Sequence, residues 1–366
     1  MYSHRNPTKH FDIIDLDPYG SAAPFVDAAV QSVSNGGLLC VTCTDLGVLA
    51  SSQYPEACYT KYGGVPLKAA FCHEAALRMV IHMLMTSAAR YKRAIQPLVS
   101  CSIDFYVRIF VRVVDSASLI KFNASNTSVV FRCSGCGIYT LSSMGRVTKN
   151  SNQNKFGPTQ GPPVNSTCNF CHSTIHMAGP MYSGSLHNKE FVSAMLKFVQ
   201  DNTTKFQTSK RMEGMLTVIS EEIEAPLFYL PCDLSSTVRT STPDYLTLAS
   251  AFINLGYKVS SSHCTAGSLK TDAPPEAIWD VMRHWVKNNP VKIENFPEGA
   301  PGLPILAAEP SREVDFTCNP LANTPSRRIK LVRYQMNPEK NWGPKARHRR
   351  QDENSKPSKK QKEVHS

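Results

Sequence analysis

The apolar and polar positions of the first hundred residues follow two periods in turn. Phe11–Leu16 is an apolar, β-branched run, and Asp17-Pro18-Tyr19-Gly20 cuts it as a tight turn cuts a strand. Over residues 22–33, Phe25, Val26, Ala29, Val30 and Val33 recur at helical spacing. Asn35-Gly36-Gly37 ends that pattern, and residues 38–42 form a second apolar strand. Residues 11–44 therefore predict a β-α-β unit, whose right-handed crossover pairs the two strands in parallel. Ligands of an open parallel sheet collect at the carboxyl ends of its strands, where Asp15, Asp17 and Asp45 would lie. A long helix is predicted from about residue 66 to 90, with Pro66 in its first turn and Leu67, Phe71, Ala75 and Val80 facing inward. Residues 95–114 read as two strands. Alternation through Phe105, Val107, Ile109, Val111 and Val113 sets Arg108 and Arg112 on the opposite face.

Near Ser116 the chain turns polar and Ser-rich, which marks the edge of a first, α/β domain over 1–116. A cysteine-bearing segment over 117–185 follows, then an α+β domain over 186–325 with helices predicted at 189–199, 243–255 and 275–287. Charge separates the last piece. The formal net charge is +11, yet residues 326–366 carry 13 Lys and Arg against 4 Asp and Glu, so this tail supplies +9 and the preceding 325 residues only +2. Such a tail is expected to be disordered alone and to order on a polyanion. Arg327, Arg328, Lys330, Arg347, Arg349 and Arg350 are its candidate phosphate contacts, with Tyr334 and Trp342 available for stacking. The same residues also read as a nuclear-import signal, so a nuclear protein is expected, with the cytoplasm as a second location and no mitochondrial targeting visible. Nothing resembles a signal peptide, and no apolar run reaches the roughly 18 residues of a membrane span. A soluble intracellular chain without a membrane role is expected, and no stable protein partner is inferred.

Four of the twelve cysteines are spaced for metal. Cys133-x-x-Cys136 and Cys168-x-x-Cys171 are two knuckles that together suit one tetrahedral Zn2+ with four thiolates, a closed and hence structural site. His172 and His176 are rival ligands, and four unpaired cysteines in hairpins are the plain alternative. His73-Glu74 is not a zinc-protease motif, because the second histidine would fall at Leu77. A structural His and Glu on a helix is the reading kept for it.

Asp17-Pro18-Tyr19-Gly20 carries a more specific chemistry. An exocyclic amine on a nucleobase is a poor nucleophile because its lone pair is delocalised into the ring. A carboxylate and a backbone carbonyl accepting its two N–H bonds would localise that lone pair. A neighbouring aromatic ring could hold the base by stacking. Asp17, the Pro18 carbonyl and Tyr19 supply these parts in consecutive positions, although the tetrapeptide alone reads more readily as an ordinary turn with Tyr19 packed beneath it.

The surrounding sequence bears on that choice. Phe11 through Gly20, Gly36-Gly37-Leu38-Leu39-Cys40-Val41-Thr42-Cys43-Thr44-Asp45, Cys72-His73-Glu74 with Leu77-Arg78, Ser102 with Asp104-Phe105-Tyr106-Val107-Arg108, Gly179-Pro180-Met181, Thr271-Asp272-Ala273-Pro274, and Asn337-Pro338 with Asn341-Trp342-Gly343-Pro344 resemble the eukaryotic tRNA guanosine-26 N2-dimethyltransferase family. The resemblance implies a Rossmann-like class I methyltransferase domain followed by a family-specific tRNA-binding domain. It also implies S-adenosylmethionine as methyl donor and tRNA as partner. It makes Asp17 the catalytic carboxylate, with Pro18 and Tyr19 shaping the base pocket and Tyr62 nearby. Methyltransferases of this type hold the donor with a Gly-rich turn and an acidic residue that precede the catalytic strand. Here only ten residues precede Phe11, none of them Gly, and Asp15 is the one acidic candidate nearby. The sequence therefore predicts an N-terminally truncated methyltransferase sheet with an exposed edge, and as an alternative function a non-catalytic tRNA-binding fragment.

Overall fold

In a computed structural model, residues 1–149, 153–329 and 332 are described. Strand β1 (Phe11–Leu16) pairs in parallel with β2 (Val33–Cys43), Asp15 opposite Cys40 and Leu16 opposite Val41. Helix α1 (Ala23–Ser32) connects them and buries Val26, Ala29 and Val30. The strand begins at Val33, earlier than the apolar run alone suggests. Gly36 adopts a left-handed φ of 79°, and a register shift between Phe11 and Ile13 absorbs the extra residues. After the short helices α2 (Leu46–Leu49) and α3 (Pro55–Tyr62), α4 (Cys72–Ala89) runs beneath the sheet. Its start corrects the helix expected from residue 66. Val65 exchanges two backbone hydrogen bonds with Gly179, at 3.0 and 2.9 Å, and this bridge takes the preceding segment out of helical geometry.

Strands β3 (Arg93–Ile103) and β4 (Tyr106–Asp115) form the predicted hairpin, giving a four-stranded sheet of order β1-β2-β4-β3 in which only β1 and β2 are parallel. Val107, Ile109, Val111 and Val113 are fully buried, and Arg108 and Arg112 lie on the other face. Phe105, read as part of the buried row, sits in the hairpin turn and is exposed. The order leaves β1 at the sheet edge, with Phe11 and Ile13 exposed along it.

A second sheet, β6-β5-β9, is built from β5 (Thr127–Cys133), β6 (Tyr139–Ser143) and β9 (Ile175–Tyr182), all antiparallel. A separate two-stranded ribbon, β7 (Gly145–Lys149) with β8 (Asn154–Pro158), leaves it between β6 and β9. The remainder comprises α5 (Lys189–Asp201), α6 (Ser209–Glu221), α7 (Pro231–Thr237), α8 (Tyr245–Asn254), the hairpin β10 (Val259–Ser262) with β11 (Thr265–Thr271), α9 (Pro275–Asn288), α10 (Gly302–Ala307) and α11 (Pro325–Arg328). Helices α5, α8 and α9 match the expected positions to within two residues at each end. Asn188 caps α5 through Phe191 N, and Asp244 caps α8 through Leu246 N and Thr247 N. No helix among the described residues is long and apolar enough to cross a membrane.

These parts are joined by a buried ionic network. Glu74 on α4 accepts, on one oxygen, from Arg78 Nε (3.0 Å) and Nη2 (2.8 Å), Lys270 Nζ (2.9 Å) and Leu227 N (2.7 Å). The three charged side chains are at most 1% exposed. Burial pushes the Glu74 carboxyl up, and the charges of Lys270 and Arg78 outweigh it, leaving the group below its ordinary range. The Glu74 of a supposed helical motif is thus a tie between α4 and β11.

Candidate functional site

The turn after β1 is held from the end of the neighbouring strand. Gly20, at φ 85°, donates its N–H to Thr44 Oγ1 (2.8 Å), and Thr44 returns its own N–H to the Gly20 carbonyl (2.8 Å). The side chain and main chain of one residue therefore fix the Asp17-Pro18-Tyr19-Gly20 loop where the sequence placed a site, at the carboxyl ends of the two parallel strands. Asp17 is exposed and Pro18 half-buried. Tyr19 is 105% exposed, so it is not the buried partner of an ordinary Asp-Pro turn. An exposed carboxylate, a backbone carbonyl and a free aromatic face on a fixed loop can receive a flat, amine-bearing ligand.

Behind this loop lies a supporting layer. Tyr62, 1% exposed, donates its phenol to Asp45 Oδ1 (2.5 Å), and Lys61 Nζ donates to Asp45 Oδ2 (3.0 Å). Burial pushes the Tyr62 phenol far up, so it remains a proton donor to Asp45. Tyr62, expected beside the substrate, is buried, and its hydroxyl touches Asp45 and also Ser21, next to the loop. Asp15, expected near a cofactor, is held in an ion pair. Both of its oxygens accept from Arg108, at 2.7 and 2.8 Å, and Arg108 Nη1 also donates to Thr42 Oγ1 (2.7 Å). Thr44 and Arg108 are the parts of this layer that sequence reading missed. Arg108 was visible as a charged residue on the open face of β4, whereas Thr44 stood only inside a stretch that carries the family resemblance, with no role of its own.

Cys133, Cys136, Cys168 and Cys171 come together as predicted, all buried, with their sulfurs within 4.8 Å of one another. The Cys133–Cys171 and Cys136–Cys168 separations are 3.2 and 3.8 Å, too long for disulfides. A tetrahedron with Zn–S bonds of about 2.3 Å has edges of about 3.8 Å, so the four thiols fit such an ion. His172 and His176 are not part of this group. A second cluster, His187, Glu222 and His263, reads differently. The rings accept the backbone N–H groups of Ser100 (3.3 Å) and Ser102 (3.1 Å), His263 Nδ1 lies 2.6 Å from Glu222, and Lys270 Nζ lies 3.7 Å from the same carboxylate. Lys270 thus sets a positive charge beside this carboxylate while its own hydrogen bond goes to Glu74.

The basic residues named in the tail divide. Arg327 is half-buried, its guanidinium 3.4 Å from the Tyr245 ring centroid, while Arg328 is exposed and donates to the Asn323 carbonyl (3.0 Å). Lys330, Tyr334, Trp342, Arg347, Arg349 and Arg350 lie outside the described residues.

Comparison with known proteins bears on this geometry. The family model described as "N2,N2-dimethylguanosine tRNA methyltransferase" matches residues 1–283. The tRNA (guanine(26)-N(2))-dimethyltransferase of Mus musculus is 47% identical over 351 residues, which are 95% of this chain and 53% of that protein. The Schizosaccharomyces pombe enzyme of the same name is 44% identical over 92% of this chain and 62% of its own length. The chain thus spans from about half to three-fifths of these relatives. Among solved structures, Trm1 from Pyrococcus horikoshii in complex with S-adenosyl-L-methionine aligns with a TM-score of 0.63 at 27% identity, covering 74% of this chain and 66% of that one.

Proposed function

The chain belongs to the N2,N2-dimethylguanosine tRNA methyltransferase family, and on that premise we propose that it transfers methyl groups from S-adenosylmethionine to the exocyclic N2 of guanosine 26 in tRNA, giving N2,N2-dimethylguanosine. The observation that carries this reading is the fixed loop after β1, with an exposed Asp17 carboxylate beside a fully exposed Tyr19 ring. Asp17 and the Pro18 carbonyl accept the two N–H bonds of the guanine amine, which localises its lone pair. Tyr19 stacks on the base, worth about 1–3 kcal/mol. Asp17 holds the proton that N2 gives up as each N–C bond forms. The Thr44 clamp keeps these groups in place without reorganisation.

S-adenosylmethionine, when bound, supplies an electrophilic methyl group. Both oxygens of Asp15 are committed to Arg108, so Asp15 is not free at the loop. The residues assembled at the loop therefore perform the acceptor half of the reaction. A structural Zn2+ held by Cys133, Cys136, Cys168 and Cys171 would organise the β6-β5-β9 sheet around its loops, with no open position for chemistry. Arg328 and the tail cations beyond the described residues are proposed tRNA contacts. The reading as a binding fragment without catalysis finds no support in relatives that match over nearly the whole of this chain and are named for the methyltransferase.

The test is transfer of labelled methyl from S-adenosylmethionine to a tRNA transcript with guanosine at position 26, comparing the chain with Asp17→Ala and the transcript with a position-26 adenosine control. Transfer that needs both Asp17 and guanosine 26 is expected. Transfer unaffected by either change would overturn the assignment.

A further inference from the structure

The segment between the two larger parts of the fold has an unusual charge pattern. Asp115 and Glu190 are consecutive acidic residues in the chain, so the 74 residues from 116 to 189 contain no carboxylate side chain. The other 292 residues hold all 29 Asp and Glu, about one in ten, a rate that would place about seven in this segment. It carries six cations: Lys121, Arg132, Arg146, Lys149, Lys155 and Lys189. Four thiolates with one divalent zinc would add −2, which still leaves this stretch at +4.

The fold gathers part of that charge on the ribbon β7–β8. Arg146 pairs across the ribbon with Gly157, and Lys155 with Thr148, so the two cations share one face. The opposite face carries Val147 and Phe156, and Phe156 packs edge-on against Phe122 with ring centroids 5.2 Å apart. That contact holds the apolar face at one point, Phe156 being still 37% exposed, and the Arg146 and Lys155 face is open to solvent; Arg146, Lys149 and Lys155 are all exposed.

Resting on the tRNA methyltransferase reading, we propose that this acid-free ribbon is a second contact for the substrate, with Arg146 and Lys155 neutralising phosphates of the tRNA backbone. Each carboxylate on a surface that approaches a polyanion repels it and weakens binding, and a two-stranded ribbon held at one face presents its cations without burying them. The contact is independent of the basic tail.

The test is the double variant Arg146→Gln/Lys155→Gln, with tRNA affinity measured across a salt series and methyl transfer at saturating tRNA. Each lost phosphate contact removes roughly 0.7–0.9 from the slope of log affinity against log salt. Two contacts should lower the slope by about 1.5 and weaken binding roughly 10- to 30-fold at about 0.15 M salt, with unchanged turnover once tRNA saturates. An unchanged slope and affinity, alongside normal tRNA binding by the parent chain, would overturn the ribbon contact and leave the methyltransferase reading standing. Failure of the parent chain to bind or methylate tRNA would strike that reading, and the ribbon contact with it. Loss of binding to an acidic polypeptide, but not to tRNA, would assign the ribbon to an acidic protein surface and overturn the proposal.

Discussion

Glu74→Gln is the sharpest test of how the parts of this fold are held together. The substitution keeps size and an acceptor oxygen but removes the charge that faces Arg78 and Lys270, both 1% exposed. Water cannot reach the two cations, so the solvent screening that weakens surface pairs does not apply. Breaking a buried pair in this way costs about 3–5 kcal/mol, a large fraction of the roughly 5–15 kcal/mol by which a domain is stable. At about 2 °C per kcal/mol for a chain of this length, the midpoint of thermal unfolding should fall by roughly 6–10 °C. The assay is circular dichroism melting together with urea denaturation. Combining Glu74→Gln with Lys270→Met removes one stranded cation and should recover part of the loss, giving a clear coupling energy in the double-mutant cycle. A Glu74→Gln midpoint within about 1 °C of the parent would mean that Arg78 and Lys270 do not depend on this carboxylate, and the proposed tie between α4 and β11 would be wrong.

Three further predictions follow from the same contacts. Glu222 is pushed up by burial but held well below its ordinary range by His263 and Lys270, and Glu74 is likewise held down; the stability they contribute is present above the unfolded value of about 4.3 and lost as pH falls through their lower folded values. Urea midpoints should therefore hold from pH 7 to about 5 and drop below about 4, and Glu222→Gln should lower the plateau while flattening the acid limb; an identical acid limb in the variant would contradict this. Thr44→Ala removes the acceptor for Gly20 N–H, worth about 0.5–1.5 kcal/mol, so kcat should fall roughly 2- to 12-fold with little change in KM for tRNA. Thr44→Ser should restore it, and a pure KM effect would argue against a positioning role. Zinc analysis should find one ion per chain; Cys133→Ser should release it and lower the melting temperature, whereas a metal-free parent that melts normally would exclude the ion.

Much of the fold was legible where its elements are short-range. The β-α-β unit, the β3–β4 hairpin and helices α5, α8 and α9 each carry their own period or cap. The four cysteines were legible for a related reason, since two knuckles specify a site without reference to the rest of the chain. What escaped was tertiary. Residues 66–71 have a helical pattern with proline at the start, and they stay out of the helix because Val65 is paired with a strand more than a hundred residues away. Tyr62 and Arg327 looked like exposed contacts until the fold supplied Asp45 and Tyr245. Asp15 had no visible partner, because Arg108 lies on a strand that becomes its neighbour only across β2.

The network around Glu74 also sets a timetable for synthesis. Leu227 and Lys270, two of its partners, lie 153 and 196 residues downstream. At about 5–20 residues per second, roughly 10–40 s pass between the appearance of Glu74 on the ribosome and that of Lys270. Through that interval α4 can form with Arg78 as a helical neighbour, but its charged face cannot be sealed and must remain wet. The four-stranded sheet therefore completes its packing only after β11 has emerged, so a chain released before that point leaves a hydrated carboxylate where the finished molecule has a dry salt link.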